Sequence, residues 1–447
     1  MKFTFYKNRD LNNVLYSILS YVITPVILIV STPLLLEHLG ASKYGIWVLI
    51  NSLISVLGIS NFGLGNAFIK IGSEYEASKD QIGFNQLFRV SFTLSIILAI
   101  VVSLSTYLFG GYILPLFFDS TGTREMMSVT HLVGGIVGLR IVNSIISGSY
   151  MARQRYDINS KISIAFNLFT SIIFTFLAVL FKDIRVLVFS LFISTIALLL
   201  FNILVAKYNN PQLVFKLAMR KSTLQKIIGY GIYSWLQLII SAINSQADKL
   251  IVGGMLGPAA LGYYSVCMQL VAKIHEIPTA ASAFLVPKFS ALYEHKDVDN
   301  IRSVYSRAML YKSIFIIFSG IFAFILAPQI LGIWIGSNFA EQHADLFKML
   351  TIATSVGAFG VIPYYCLNGT GFVRFNTIIS LATSASSIML LYLMAPKFGD
   401  IGIGLSKLVS IPLVIISIYV IRNKVFKLNA VGEESNSQIN ELNVKAQ

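Results

Sequence analysis

The chain has 447 residues, 55% of them hydrophobic and only 12% charged, with a mean hydropathy of +0.74. Soluble domains carry about 25% charged residues, so a water-soluble globule is excluded and a polytopic membrane protein is indicated. The net charge of +14 would ordinarily point to nucleic acid or an anionic surface, and the placement of Lys and Arg decides the matter.

Taken in order, Lys2, Lys7 and Arg9 precede an apolar run over 13–36. The run is too long for a secretory leader and no small-residue cleavage site follows it, so it is expected to stay as the first span. Further spans of about 20 residues are expected at 44–67, 90–111, 126–149, 162–181 and 186–206. A second set is expected at 228–252, 263–285, 309–332, 346–368, 377–396 and 401–421. The fold class is therefore an all-α membrane protein of about 12 transmembrane helices. The domain reading is an N-terminal six-helix lobe over 1–206, a cytoplasmic linker over 207–226, a C-terminal lobe over 227–422 and a polar cytoplasmic tail over 423–447. Within the linker, Leu213, Val214 and Phe215 among basic residues read as an interfacial segment. The aperiodic tail beyond Lys427 is expected to be disordered.

The two halves repeat one another. Sliding the sequence by 217 positions lays Tyr16 and Ser17 on Tyr233 and Ser234, Leu39 and Gly40 on Leu256 and Gly257, and Gly45 on Gly262. Lys79 and Asp80 fall on Lys296 and Asp297, Ile113 and Leu114 on Ile330 and Leu331, Ser120 on Ser337, and Asp183 on Asp400. Near Gly148 and Arg153, matched to Gly369 and Arg374, the register is expected to slip by four. Six spans per repeat is an even number, so both repeats enter from the same side and form a parallel duplication about an axis along the membrane normal.

Each repeat opens on a helix with a polar stripe. Ser234, Gln237, Ser241, Asn244 and Asp248 follow one another at spacings of three and four, the spacing of one helix face. Ser17, Ser20, Thr24 and Ser31 occupy the corresponding positions of Ser234, Gln237, Ser241 and Asp248. Polar groups left unpaired in lipid are costly, so both stripes are expected to face protein or water in a common interior.

Orientation follows from loop charge. With a cytoplasmic N-terminus the inner segments hold 24 Lys and Arg, Lys312 among them, and the outer loops hold five: Lys43, Arg124, Lys182, Arg185 and Lys397. This is a positive-inside distribution with both termini cytoplasmic, and it accounts for the net charge without nucleic acid.

Five basic residues remain inside the spans: Arg140, Lys249, Lys273, Lys348 and Lys407. A central charge costs about 2.5 to 3.5 kcal/mol on the lenient insertion scale, so each needs an account. Lys348 at a span edge is expected to snorkel to the headgroups. Arg140 either clamps backbone carbonyls in the Gly134, Gly135 and Gly138 region or binds an anion, a role that its planar two-toothed fork suits. Lys273 either binds an anion or neutralises Glu276 three residues on. Lys407 either snorkels or faces the interior. Asp248 and Lys249 point about 100° apart, so Asp248 either couples an ion or pairs with a cation on another helix. His275 is a further ion-coupling candidate or a packed histidine. Pro25, Pro278 and Pro363 are candidate kinks. The two cysteines, Cys267 and Cys366, lie near opposite membrane faces and no disulfide is expected.

No P-loop, CxxC or HExxH pattern is present, and the longest outer loop, about Tyr112 to Glu125, offers no platform for a polymerase or glycosyltransferase. No catalytic residue, metal ligand or cofactor is expected.

Leu34 to Gly40, then Lys43-Tyr44-Gly45-Ile46-Trp47, then Asn61-Phe62-Gly63-Leu64-Gly65-Asn66-Ala67 resemble the opening motifs of polysaccharide-unit flippases. These belong to the multidrug/oligosaccharidyl-lipid/polysaccharide exporter superfamily. Asp248-Lys249, Leu256-Gly257, Leu261 to Tyr264 and Val286-Pro287 are similar to that family's second half, and the likeness runs to about Asn423. Asn61 stands where the family commonly has Asp. The resemblance implies a V-shaped pair of six-helix lobes around a central cavity. It implies a flippase of the bacterial inner membrane that carries undecaprenyl-pyrophosphate-linked oligosaccharide outward by alternating access for O-antigen or capsule synthesis. Coupling to H+ or Na+, and other polysaccharide assembly proteins as partners, are implied with it. The substrate-cavity candidates are then Arg140, Lys273, Lys407, Gln237 and Asn244, and the ion-coupling candidates Asp248, Glu276 and His275. The alternative is an ion-coupled multidrug exporter of the same fold, for which acidic interior residues should outweigh basic ones. A membrane polysaccharide polymerase is the third reading.

Overall fold

A computed structural model describes residues 2–113, 115 and 126–426, with side chains from residue 23 onward except those of Thr24, Ile113, Tyr233, Asn244, Asp400 and Leu413. The described residues are helical almost throughout and contain no strand. The first half comprises α1 (Lys2–Leu57), α2 (Leu64–Ala77), α3 (Gln81–Ile113), α4 (Thr130–Met151), α5 (Tyr156–Phe181) and α6 (Ile184–Asn209). The second begins with α7 (Lys221–Val271), α8 (Lys273–Ser282), α9 (Leu285–Glu294), α10 (Val298–Ile325) and α11 (Ala327–Trp334). It ends with α12 (Ser337–Ala358), α13 (Val361–Gly369), α14 (Val373–Lys407) and α15 (Ser410–Val420). The tail beyond Phe426 and most of the expected outer loop 112–125 lie outside the described residues.

Eleven described stretches are long and apolar enough to cross a membrane, making this a multi-pass membrane protein. The first of them, Pro25–Asn61, holds Gly40 in a left-handed, non-helical conformation (φ 77°, ψ 165°) and so is two spans meeting at a sharp turn. Six spans per half result, matching the sequence pattern. Many of these helices present large apolar side chains outward, such as Phe169, Ile172 and Phe176 on α5 and Ile314, Phe318 and Ile321 on α10. Such faces suit hydrocarbon, since a water-soluble monomer rarely exposes large contiguous apolar patches.

The spans are interrupted where their prolines demand it. A proline inside a helix removes the bond to the residue four back. The breaks at Ala283–Phe284 and at Phe359–Gly360 lie about one turn upstream of Pro287 and Pro363, and the break at Ala272 lies further ahead of Pro278. Pro25 sits inside α1 with no non-helical dihedral.

The duplication is visible in the backbone. Four pairs of left-handed residues stand 217 apart: Gly40 and Gly257, Lys79 and Lys296, Gln154 and Gly371, Lys182 and Gly399. The Asp80 side chain accepts from the Gly83 N–H at 2.8 Å, and Asp297 accepts from the equivalent Asn300 N–H at 3.1 Å. The expected slip of four near Gly148 is corrected here. Gln154 N–H donates to the Met151 carbonyl as Gly371 N–H does to Asn368, again 217 apart. The turn geometry kept the register while side-chain identity drifted.

By packing, the chain forms two compact units, Met1–Tyr263 and Tyr264–Gln447. The first is built around Phe68, Phe84, Phe88, Ile145, Ile146 and Tyr150. The linker belongs to it. Leu213 is buried and Phe215 stacks edge-on against Phe88 and Phe92, while Asn85 donates to the Gln212 carbonyl at 3.0 Å and Thr93 Oγ1 accepts from Ala218 N–H at 2.9 Å. The first half of α7 also packs in this unit, with Trp235 Nε1 donating to the Ile59 carbonyl at 2.9 Å and Phe62 stacking on Trp235. In the second unit Leu285, Phe289, Ile301, Tyr305, Ile362 and Cys366 form one core, and Ile274, Ile316 and Ala358 a smaller one.

Candidate functional site

In the first unit the polar interior begins with α4. Gly134 and Gly138 let α4 lie directly on α3: a Cβ at Gly138 would fall 2.9 Å from the Ala99 carbonyl oxygen, and Ser103 Oγ donates to the Gly134 carbonyl at 3.1 Å. The glycines are therefore used for helix packing, and their carbonyls are not clamped by Arg140. The Arg140 side chain is exposed, and it has no hydrogen-bond or ion-pair partner among the described residues. One turn further along α4 a buried amide ladder runs to α6. Tyr150 Oη donates to Asn202 Oδ1 at 2.8 Å, and Asn202 Nδ2 donates to Asn143 Oδ1 at 2.9 Å. Arg140 thus stands at the free end of a fixed polar track: a cation with unfilled donors beside oriented amides, the equipment for an anion with hydroxyl groups attached.

The stripe on α7 divides. Ser234 is buried and accepts from Asn66 Nδ2 at 2.7 Å, so its polarity is met by protein. Gln237 and Ser241 are exposed, and the Asn244 side chain lies outside the described residues, as do those of Ser17, Ser20 and Thr24. Asp248 is half-buried, and its Oδ1 accepts the Lys249 backbone N–H at 2.8 Å. Lys249 reaches Gln246 Oε1 at 3.4 Å rather than the neighbouring carboxylate.

In the second unit Lys273, His275 and Glu276 come together on α8. Lys273 Nζ is paired with Glu276, the pairing that their three-residue spacing allows. His275 is half-buried; Thr279 Oγ1 donates to its carbonyl at 2.7 Å, and Tyr365 on α13 donates to the Thr279 carbonyl at 2.9 Å. Lys407, at the end of α14, lies over the Tyr264 ring at 5.7 Å, a cation–π contact. Lys348 is paired with Asp345 at 3.0 Å.

Lys312 is a correction to the loop-charge reading. Its helix begins at Val298 behind an Asp297 cap, well before the apolar run, so Lys312 sits inside a membrane-spanning helix. It is only 6% exposed and its Nζ has no hydrogen-bond partner among the described residues. Sequence reading also passed over Asn143, Tyr150 and Asn202. Asn143 and Asn202 carried a signal, being amides inside otherwise apolar spans, but only the packing of α4 on α6 shows that they answer one another.

A family model described as "Polysaccharide biosynthesis protein" matches residues 38–344. A "Putative O-antigen transporter" of Shigella flexneri is 23% identical over 411 residues, covering 89% of this chain and 93% of that protein. The "Probable flippase AglR" of Haloferax volcanii is 20% identical over 383 residues, covering 85% of this chain and 76% of that protein. Among solved structures, "Lipid II flippase MurJ, inward closed conformation" superimposes with a TM-score of 0.76 at 14% identity, over 92% of this chain and 88% of that one. An inward-facing multidrug resistance MATE family transporter of the MOP superfamily gives 0.74 at 12% identity, over 91% and 96%. The fold is the one these transporters share.

Proposed function

Because the chain belongs to the polysaccharide biosynthesis protein family, we propose that it is a flippase moving polyprenyl-pyrophosphate-linked oligosaccharide from the inner to the outer leaflet of the bacterial inner membrane by alternating access. The observation that carries this reading is Arg140, a cation with no hydrogen-bond or ion-pair partner among the described residues in an apolar membrane-spanning helix, set beside the Asn143–Asn202–Tyr150 ladder. A guanidinium left unpaired there is costly and is repaid by a substrate with two phosphoryl groups. Charge-assisted hydrogen bonds are worth about 1.5 to 3 kcal/mol each, and amides and hydroxyls nearby suit sugar. Translocation breaks no bond, so the chain's task is to exchange the headgroup's hydration shell for protein partners and return it. Lys273, Lys407, Gln237 and Asn244 are proposed as further headgroup contacts, with Lys273 first having to release Glu276. Asp248, His275 and Glu276 are proposed to couple an ion, and both termini to be cytoplasmic.

Deleting the gene and locating the undecaprenyl-linked oligosaccharide tests the reading. Accumulation in the cytoplasmic leaflet is expected. Unchanged glycolipid with altered drug tolerance would instead establish a multidrug exporter of the same fold.

A further inference from the structure

The linker between the repeats carries charge that the transport reading does not use. Over 207–226 it holds Lys207, Lys216, Arg220, Lys221 and Lys226 and no Asp or Glu. Like charges repel, and such a run is ordinarily solvated and irregular, yet this one is fastened along α3. Besides its bond to Gln212, the Asn85 side chain accepts the Val214 N–H at 3.4 Å. The Arg89 guanidinium donates to the Lys216 and Leu217 carbonyls at 3.4 and 3.5 Å, and Arg220 donates to Gln86 at 2.5 Å. With Thr93 accepting from Ala218, the linker advances from 212 to 218 as its contacts advance along α3 from 85 to 93.

That placement sets the linker's depth. α3 has 33 residues, about 50 Å at 1.5 Å per residue, against a hydrocarbon layer of about 30 Å, so its first turns stand at headgroup level. Leu213 and Phe215 turn into the core of the first unit, whereas Leu217 and Met219 lie outside that core, 62% and 58% exposed. Between them and α7, Lys216 and Lys221 are exposed and have no hydrogen-bond or ion-pair partner among the described residues. Free ammonium groups beside outward apolar side chains, held where a helix enters the bilayer, match an acidic lipid in both charge and depth. We propose that the linker is a binding site for an acidic glycerophospholipid of the inner leaflet. Lys216 and Lys221, with the exposed Lys226, hold its phosphate, and Leu217 and Met219 lie against the upper part of its acyl chains. An acidic soluble protein would match the charge but leave the two apolar side chains uncovered, and a zwitterionic lipid would bring a cation of its own. The site requires only that the chain spans a bilayer, so it stands or falls separately from the flippase reading.

Titrating the purified full chain in an uncharged detergent with phosphatidylglycerol, and following the thermal midpoint, tests the site. The midpoint should rise and saturate with phosphatidylglycerol and not with phosphatidylcholine. A basic residue at an anionic surface strengthens binding by about five-fold, so Lys216→Gln should raise the half-saturating lipid concentration by about that factor. The Lys216→Gln, Lys221→Gln, Lys226→Gln triple variant should not saturate, while the same three positions changed to Arg should respond as wild type does. Leu217→Ser with Met219→Ser should weaken the response without lowering the midpoint in detergent alone. A control removes equal charge from exposed positions in the second half, Lys288→Gln, Arg307→Gln and Lys424→Gln, and should leave the titration unchanged. A flat wild-type titration overturns the site, as does an equal rise with phosphatidylcholine or an equal loss in the control. A midpoint rise with inorganic pyrophosphate that the lysine triple variant abolishes also overturns it, marking a site for free phosphate groups. Should the triple variant fail to fold, Lys216→Gln alone decides, and an unshifted titration there sinks the proposal.

Discussion

Arg140 and Lys273 were alike in the sequence, both cations deep in apolar spans, and the structure separates them. Lys273 has Glu276 as its partner, whereas Arg140 has no hydrogen-bond or ion-pair partner among the described residues and adjoins the amide ladder. Arg140→Gln should therefore abolish surface polysaccharide while protein level and detergent stability hold, and Arg140→Lys should restore part of it, since a point charge replaces a fork. Loss of the protein from the membrane along with the glycan would mark Arg140 as structural. Tyr150→Phe removes one buried hydrogen bond to Asn202 and should lower stability by about 1 kcal/mol, read as a small fall in thermal midpoint. That the ladder exists was not legible beforehand. An amide's spacing along its own helix does not tell which other helix will meet it.

At the scale of elements, the turns and close crossings were written into the sequence as repeated small residues. Gly45 and Gly262, 217 apart, meet each other's segments: a Cβ at Gly45 would fall 1.6 Å from the Pro258 carbonyl oxygen, and one at Gly262 2.5 Å from that of Ala41. Gly45→Ala is expected to destabilise by about 1 to 3 kcal/mol or more, whereas Gly58→Ala, with nothing within 4 Å of the added carbon, should fold normally. Comparing membrane levels and thermal midpoints of the two variants checks this. The helix caps predict a pH dependence. The Asn300 amide and its backbone N–H hold the Asp297 carboxyl below the usual carboxylate range. Burial works against Asp183 as the largest influence, yet Arg185, through its backbone N–H and guanidinium, holds that carboxyl low as well. For a depressed carboxyl the stabilisation is present above the unfolded value, about 3.9, and is lost as the pH falls through the lower folded value. Midpoints measured from about pH 5 to about pH 3 should fall less steeply for the Asp297→Asn, Asp183→Asn double variant than for wild type.

For the whole molecule, the split of Lys and Arg predicts an orientation that is open to direct measurement. Reporters fused after Arg89, Lys221 or Lys427 should read cytoplasmic, and those near Thr121 or Asn338 external; an external reading after Lys221 would break the six-plus-six arrangement. What the sequence alone determined is everything that depends on local physics. Apolar runs of spanning length give the helices, Gly at 40 and 257 gives the left-handed breaks between spans, and the 217-residue periodicity gives the duplication. These follow because helix formation in lipid satisfies the backbone within each segment. Only the tertiary structure decided which polar groups inside those spans are satisfied and which are left over. It paired Ser234 with Asn66 and Lys273 with Glu276, and tied the linker to α3. It took Lys312, counted with the inner segments although it falls in the expected span 309–332, and placed it in a buried site with no hydrogen-bond partner for its Nζ among the described residues. Burial and partnership are set by which helices pack together across hundreds of residues, and a hydropathy profile, blind to those pairings, cannot rank one buried charge above another.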